Sequence, residues 1–257
     1  MTKRTALITG GAARIGAHIA QNLAKEGWDI CIHYNRSKTA AEKLCTALTA
    51  LGVQAVAIHA NLAIRQDVDT LIARSARKAG KPLTALINNA STFSPDTAQS
   101  LDNASFDYHM DVNLRAPLML SRDFAAQCPQ EADGIIINMI DQRVLKPNPT
   151  YFSYSASKTA LYHSTKTLAQ ALAPHIRVNG IGPGPTLQNI DQNNDMFANE
   201  AQHTLLQRGS PPEDIMGGLR YLLNARSVTG QMIAIDGGQH LTWKTADILA
   251  ATPQGAI

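Results

Sequence analysis

The chain has 257 residues, 44% of them hydrophobic and 17% charged. Those proportions argue against disorder except at the ends, and the length allows one α/β domain to bury a sizeable core. A net charge of +3 is too small to argue for nucleic acid or a membrane surface as partner, and no apolar run reaches membrane-spanning length.

The first predicted element is the short apolar run from Arg4 to Thr9, whose β-branched residues suit a buried parallel strand. It leads into Gly10-Gly11-Ala12-Ala13-Arg14-Ile15-Gly16, and a helical pattern follows through Ile15, Ile19 and Leu23 to Gly27. Strand, Gly-rich turn and helix in this order predict a dinucleotide site. The glycines let backbone approach a pyrophosphate, and the helix N-terminus favours negative charge. Gly10, Arg14, Ile15 and Gly16 are the candidate contacts, although an ordinary βα turn would look much the same.

The second predicted strand runs from Asp29 to Asn35. An acid at its end would hold the 2′-hydroxyl of NAD. Here Tyr34-Asn35-Arg36-Ser37 offers none. Arg36 suits a bidentate pair with a phosphate and Ser37 offers a hydroxyl. With Arg14 expected in the same crevice, these residues favour NADPH. A solvated Arg after a strand is the plainer alternative.

Further strands are predicted near 54–60, 84–88, 134–140, 176–180 and 231–236, and helices near 39–51, 65–79, 105–127, 155–173 and 212–224. This alternation predicts a single Rossmann-type domain over 1–257: a doubly wound parallel sheet with helices on both faces and the active crevice beyond the carboxyl ends of the strands. Segment 185–210 breaks the pattern. It is polar, with Met196-Phe197 and Leu205-Leu206 as apolar patches, and reads either as a substrate lid carrying a short helix or as a structural connection.

Tyr154 and Lys158 share a helix face at i,i+4, with Asp141 thirteen positions upstream. A free phenol titrates near ~10 and is a poor proton-transfer group at neutral pH. The neighbouring ammonium is expected to pull it toward the working range. Alone the spacing is common by chance, and a surface Lys on a helix N-terminus would produce it too.

The three cysteines, Cys31, Cys45 and Cys128, show no metal or redox spacing; their odd number suits a reducing compartment, and the cytoplasm is expected. No signal peptide is expected, since the first residues read straight into the first predicted strand. His33 reads as a packed strand histidine. His59, His109, His163 and His175 are scattered without a zinc spacing. Asp67 and Asp69 are expected on a helix surface with no special role.

Thr9-Gly10 with Gly16, Asn88-Asn89-Ala90, Asn113, Asp141, Tyr154, Lys158 and Pro183-Gly184 fall in the order and spacing of the short-chain dehydrogenases/reductases, from Thr5 to about Gly238. T-G-x-x-x-R-x-G, the string His33–Ser37, N-N-A-S-x-F at Asn88–Phe93 and N-M-x-D at Asn138–Asp141 resemble the pteridine reductase branch, which includes dihydromonapterin reductases. The resemblance implies that Tyr154 donates or relays a proton and that Lys158 binds the nicotinamide ribose. It gives Asn113 a relay water, packs Asn89 and Ala90 on the adenine ribose, and places Pro183-Gly184 beside the nicotinamide. Ser91 would touch cofactor and substrate, and Phe93 would stack on a pterin. It further implies a homotetramer acting on a small-molecule substrate. The family usually has Asp before Leu or Val after the third strand; here Asn61-Leu62 would meet adenine with an amide.

Most of the family carries Ser where this chain has Asp141. A carboxylate repels a developing oxyanion, so it suits a substrate whose ring nitrogen gains a proton better than a simple ketone; a loop cap is the bland alternative. The expectation is an NADPH-dependent reductase of a pteridine or related C=N substrate. A ketone or 3-oxoacyl reductase is the second enzyme reading. A non-catalytic NADPH sensor is a third, against which the intact Tyr, Lys and Asn set counts.

Overall fold

A computed structural model describes residues 4–188 and 193–245. Seven parallel strands make one sheet: β1 (Thr5–Ile8), β2 (Asp29–Tyr34), β3 (Ala55–His59), β4 (Ala85–Asn88), β5 (Gly134–Met139), β6 (Ile176–Pro183) and β7 (Met232–Ile235), in the order β3-β2-β1-β4-β5-β6-β7. The central strands are mostly apolar because both faces are covered. Ala6 and Ile8 of β1, Ile30 and Ile32 of β2 and Ile87 of β4 face one core. Leu7, Cys31 and Leu86, one residue out of phase, face the other. Helices α1 (Arg14–Lys25), α2 (Lys38–Thr49) and α8 (Pro212–Asn224) close the first core, and α3 (Arg65–Ala79), α5 (Ala116–Gln127) and α6 (Phe152–Leu172) close the second.

The chain winds outward from β1 to β3, then returns to pair β4 with the other side of β1. The crevice at this reversal lies between the end of β1, at Gly10, and the end of β4, at Asn89. This is where open α/β sheets bind their ligands.

Two elements depart from the sequence expectation. The single helix expected near 105–127 is three pieces: α4 (Asn103–Met110), a π-turn over Asp111–Arg115, and α5. Asp102 caps α4 by accepting the Ser105 N–H at 3.0 Å, which starts the helix two residues early. Strand β6 runs to Pro183 and not to 180, so the Pro183-Gly184 turn sits at the carboxyl end of the sheet beside the crevice. Within the expected lid, α7 (Asn194–Gln202) carries Met196 and Phe197, and residues 189–192 lie outside the described residues.

Candidate active site

The Gly-rich turn is held by contacts that leave no room for side chains. A Cβ on Gly16 would sit 2.4 Å from the Gly10 carbonyl oxygen and 2.6 Å from Asn89 Nδ2, and Gly10 has φ +62°. Helix α1 then starts with no side-chain cap and no acid in its first turn. Its N–H groups are thus disposed toward an anion in the crevice.

His33 fixes this turn from below, a role its sequence position did not disclose. Its Nδ1 accepts the Gly10 N–H at 3.0 Å, so the ring proton sits on Nε2, 3.0 Å from the Ala60 carbonyl. The ring is 2% exposed, and burial lowers its pKa from 6.5 to about 4. The unfolded chain therefore binds more protons than the folded one between those values. The resulting stability is present above pH 6.5, is lost as pH falls, and levels off near pH 4. The span corresponds to about 3 kcal/mol. Urea titrations at neutral pH and near pH 4.5 should show this loss in the wild type and a smaller one in His33→Asn; equal losses would place the acid sensitivity elsewhere.

Asn89 and Ala90 close the other side of the crevice. Their N–H groups reach Thr9 Oγ1 at 2.9 and 3.0 Å, and Asn89 Nδ2 donates to the Thr9 carbonyl at 2.8 Å. A cavity of about 290 Å³ lies beyond them, lined among others by Asn35, Asn61, Leu62, Ala90 and Ser91. Asp67, expected to need no role, accepts the Asn61 N–H at 2.6 Å and so shapes this cavity's wall. Tyr34 is half-buried, and Arg36 and Ser37 are exposed where β2 ends.

Arg14 is not where the sequence argument put it. Its guanidinium donates to the Leu187 and Gln188 carbonyls at 3.1 and 2.8 Å, and the residue lines the cavity that holds Tyr154. A left-handed backbone at Arg14 (φ 52°) accompanies this placement. Arg36 and Ser37 are thus the candidates left for a 2′-phosphate, and Arg14 ties the Gly-rich turn to the base of the segment before α7.

The second cavity, about 450 Å³, contains Asp141, Tyr154, Lys158, Phe93, Ile15, Asn89, Ser91, Pro183 and Gly184. Asp141 lies two residues past the end of β5, and the first turn of α6 presents Tyr154 to it. The phenol donates to Asp141 Oδ2 at 2.6 Å, while Asp141 Oδ1 accepts the Arg143 N–H at 2.8 Å. Lys158 is 2% exposed and donates to the Met139 carbonyl at 2.7 Å, with its ammonium 5.8 Å from the Tyr154 ring centre.

These positions reverse one expectation. The tyrosine's pKa is raised well above 10, first by burial and then by the Asp141 carboxylate; Lys158 does not pull it down. Burial also raises Asp141, against the hydrogen bonds from Tyr154 and Arg143, and lowers Lys158 to about 8 with Asp141 opposing. Sequence spacing showed the neighbouring cation but not the desolvation or the closer carboxylate. The result is a phenol that holds its proton at neutral pH, as an acid must before it donates.

Asn113 sits in the π-turn, 0% exposed. Its Oδ1 accepts from Thr92 N and Ser91 Oγ at 2.9 and 3.1 Å, and its Nδ2 donates to the Thr92 carbonyl and Ser157 Oγ at 3.0 and 3.1 Å. The side chain therefore ties the loop after β4 to α6. In the π-turn the Ala116 N–H reaches back to the Asp111 carbonyl, five residues away, so the usual i−4 pairing is broken.

The same loop is pinned a second time by residues the sequence gave no reason to single out. Asp96 accepts Ser153 Oγ–H at 2.5 Å, Ser153 Oγ lies 2.8 Å from His109 Nδ1, and His109 Nε2 accepts the Ser94 N–H at 3.2 Å. Phe93 is carried between these anchors. Its ring stacks on Tyr151 at 4.1 Å and 9°, and meets Tyr154 edge-on at 4.6 Å and 85°.

Comparison with known proteins agrees with this geometry. The family model for short chain dehydrogenases matches residues 4–198. The 3-oxoacyl-[acyl-carrier-protein] reductase of Staphylococcus aureus is 30% identical over 249 residues, 94% of this chain and 99% of that protein. The alternative dihydrofolate reductase 1 (FolM) of Brucella canis, solved with NADP, is 44% identical, with a TM-score of 0.92 over 95% of this chain and 97% of that one. A blue fluorescent protein from a metagenomic library, solved with NADPH, is 30% identical with a TM-score of 0.85 over 92% of this chain and 97% of that one. Family model, strand order and the Tyr154–Lys158 pair on α6 agree, and the chain belongs to the short-chain dehydrogenases.

Proposed function

We propose that this protein is an NADPH-dependent reductase of dihydropteridines. The observation that carries the proposal is the 2.6 Å hydrogen bond from Tyr154 to Asp141, a carboxylate where most of the family has a serine hydroxyl. The likeness to an alternative dihydrofolate reductase supports the same substrate class. The crevice suits the cofactor: the uncapped α1 N–H groups would meet its pyrophosphate, Asn35, Asn61 and Leu62 line the cavity that would take the adenosine, and Lys158 with Pro183 and Gly184 lines the one that would take the nicotinamide. NADPH, when bound, supplies the hydride. Tyr154 would hold the proton destined for the substrate, Asp141 would share it, and Lys158 would fix the ribose with its ammonium. Burial of the phenol at 5% exposure keeps water from competing for that proton.

A 3-oxoacyl or ketone reductase is the second reading, and the 30% identical Staphylococcus aureus relative favours it. Asp141 disfavours it, because a carboxylate beside a developing oxyanion raises the barrier. The test is loss of NADPH absorbance with dihydropteridines and simple ketones side by side. Efficient ketone reduction with no turnover of any pteridine would leave only the family assignment.

Cofactor choice gives a separate prediction. A charge-assisted contact contributes roughly 1.5–3 kcal/mol, so Arg36→Ala should weaken NADPH binding about ten- to a hundredfold and leave NADH nearly unchanged. Fluorescence titration with both cofactors decides it; an equal loss for both would make Arg36 a structural residue.

We further propose a cytoplasmic homotetramer with 185–210 acting as the substrate lid. The apolar edge strand β7, half-exposed along its length, and Tyr221 on α8, 56% exposed, give a second copy a surface to cover. Light scattering at micromolar concentration tests the assembly.

A further inference from the structure

Phe93 is the ring expected to stack on a flat substrate, yet one of its faces is already taken. Tyr151 lies on it at 4.1 Å between ring centres, only 9° from parallel. A third ring between them would need about 7 Å, two contacts of ~3.5 Å each. Both rings line the cavity that contains Asp141, Tyr154 and Lys158. From the stack we infer that Tyr151 occupies the place of the flat substrate and must swing out for the substrate to enter. The inference rests on the proposal that the substrate is a flat heterocycle.

Three features fit a movable plug. Tyr151 is the N-cap of α6, three residues before Tyr154, and its backbone is left-handed at φ 54°, ψ 50°. Such a conformation is uncommon for a bulky aromatic residue and costs energy the surroundings must supply. Its carbonyl accepts the Ser155 N–H at 2.8 Å, so the ring can rotate about its own χ1 without unwinding the helix. The six residues before it, from Leu145 to Thr150, are all exposed, which leaves solvent on that side for the ring to enter.

Arg143 is placed to hold the closed arrangement. Its guanidinium carbon lies 5.1 Å from the Tyr151 ring centre and 5.8 Å from that of Phe93, within cation–π range of both. The Arg143 N–H also donates to Asp141 Oδ1 at 2.8 Å. One residue thus touches both the plug and the catalytic carboxylate. A substrate ring that replaced Tyr151 on Phe93 would restore the stacking that the plug gives up.

A plug that competes with substrate lowers apparent affinity by the fraction of molecules in the open form. An aromatic pair contributes about 0.5–1.5 kcal/mol, which converts to roughly a two- to tenfold effect. The test uses the NADP⁺-loaded enzyme with 2,4-diaminopteridine as an inert flat probe, followed by fluorescence, and KM and kcat for a dihydropteridine. Tyr151→Gly removes the ring and accepts the positive φ; Tyr151→Asn removes the ring with a residue that tolerates the left-handed region. Both variants should bind the probe two- to tenfold tighter and lower KM by a similar factor, with the effect on KM and not on kcat. Tyr151→Phe, which keeps the ring, should return the wild-type constants. Weaker probe binding in the Gly and Asn variants would mean that Tyr151 supports Phe93 from behind, and unchanged binding would mean that its ring does not compete; either result overturns the plug. Tighter probe binding in an enzyme that reduces no dihydropteridine would sustain the plug and overturn the substrate proposal.

Discussion

Tyr154→Phe should lower turnover of the best substrate by two or more orders of magnitude while NADPH binding stays nearly intact. General acid catalysis contributes ~10²–10⁴-fold. The phenol is placed for that role: 5% exposed, donating to Asp141 at 2.6 Å, with its pKa raised by burial and by the carboxylate. It carries its proton at neutral pH and has one partner with which to exchange it. Lys158→Ala should differ, harming cofactor binding and turnover together, because its ammonium is proposed to hold the nicotinamide ribose. Steady-state kinetics with fluorescence titration of NADPH separates the two variants. A Tyr154→Phe enzyme that kept most of its activity would make Asp141 or a water the proton donor.

The parts of the molecule legible in the sequence are those that depend on periodicity and turn chemistry. α3 and α8 fall at the bounds expected from their apolar spacing, because both lay one regular face on the sheet. The strands stand out as apolar runs because both faces of the sheet are covered. The π-turn over Asp111–Arg115 did not show, since one widened turn barely alters the apolar pattern. The site was legible as a set of residues and less so as a set of interactions. The structure brings Tyr154, Asp141 and Lys158 to one cavity, but the sign of the tyrosine's pKa shift depends on burial and on which charge is nearer. Arg14 follows a left-handed backbone to the wall of the cavity that Tyr154 lines, and nothing in T-G-x-x-x-R-x-G announces that turn. His33 and His109 looked bland because their partners, Gly10, Ala60, Ser94 and Ser153, are backbone groups or a serine brought near only by the fold.

Asp141→Ser should change which substrate the enzyme prefers. In the wild type the carboxylate accepts the tyrosine's hydrogen bond and is itself pushed toward its neutral form by burial. The pair therefore holds a proton close to where a ring nitrogen would need it, and titrates as a unit. Serine keeps a hydroxyl beside Tyr154 and removes the negative charge. That change removes a proton reservoir from a pteridine and removes repulsion from a ketone's developing oxyanion. The efficiency kcat/KM for a dihydropteridine should fall by roughly 10², within the range of a lost acid–base partner, while that for a ketone holds or rises. The pH profile gives an independent sign. Asp141 is one of the two causes that raise the tyrosine's pKa, so its removal lets the phenol ionise at lower pH. The alkaline limb of the profile should accordingly move down in Asp141→Ser. A ratio of the two efficiencies that stays constant, with the alkaline limb unmoved, would reduce Asp141 to a cap on the turn that follows β5, where its Oδ1 accepts the Arg143 N–H at 2.8 Å.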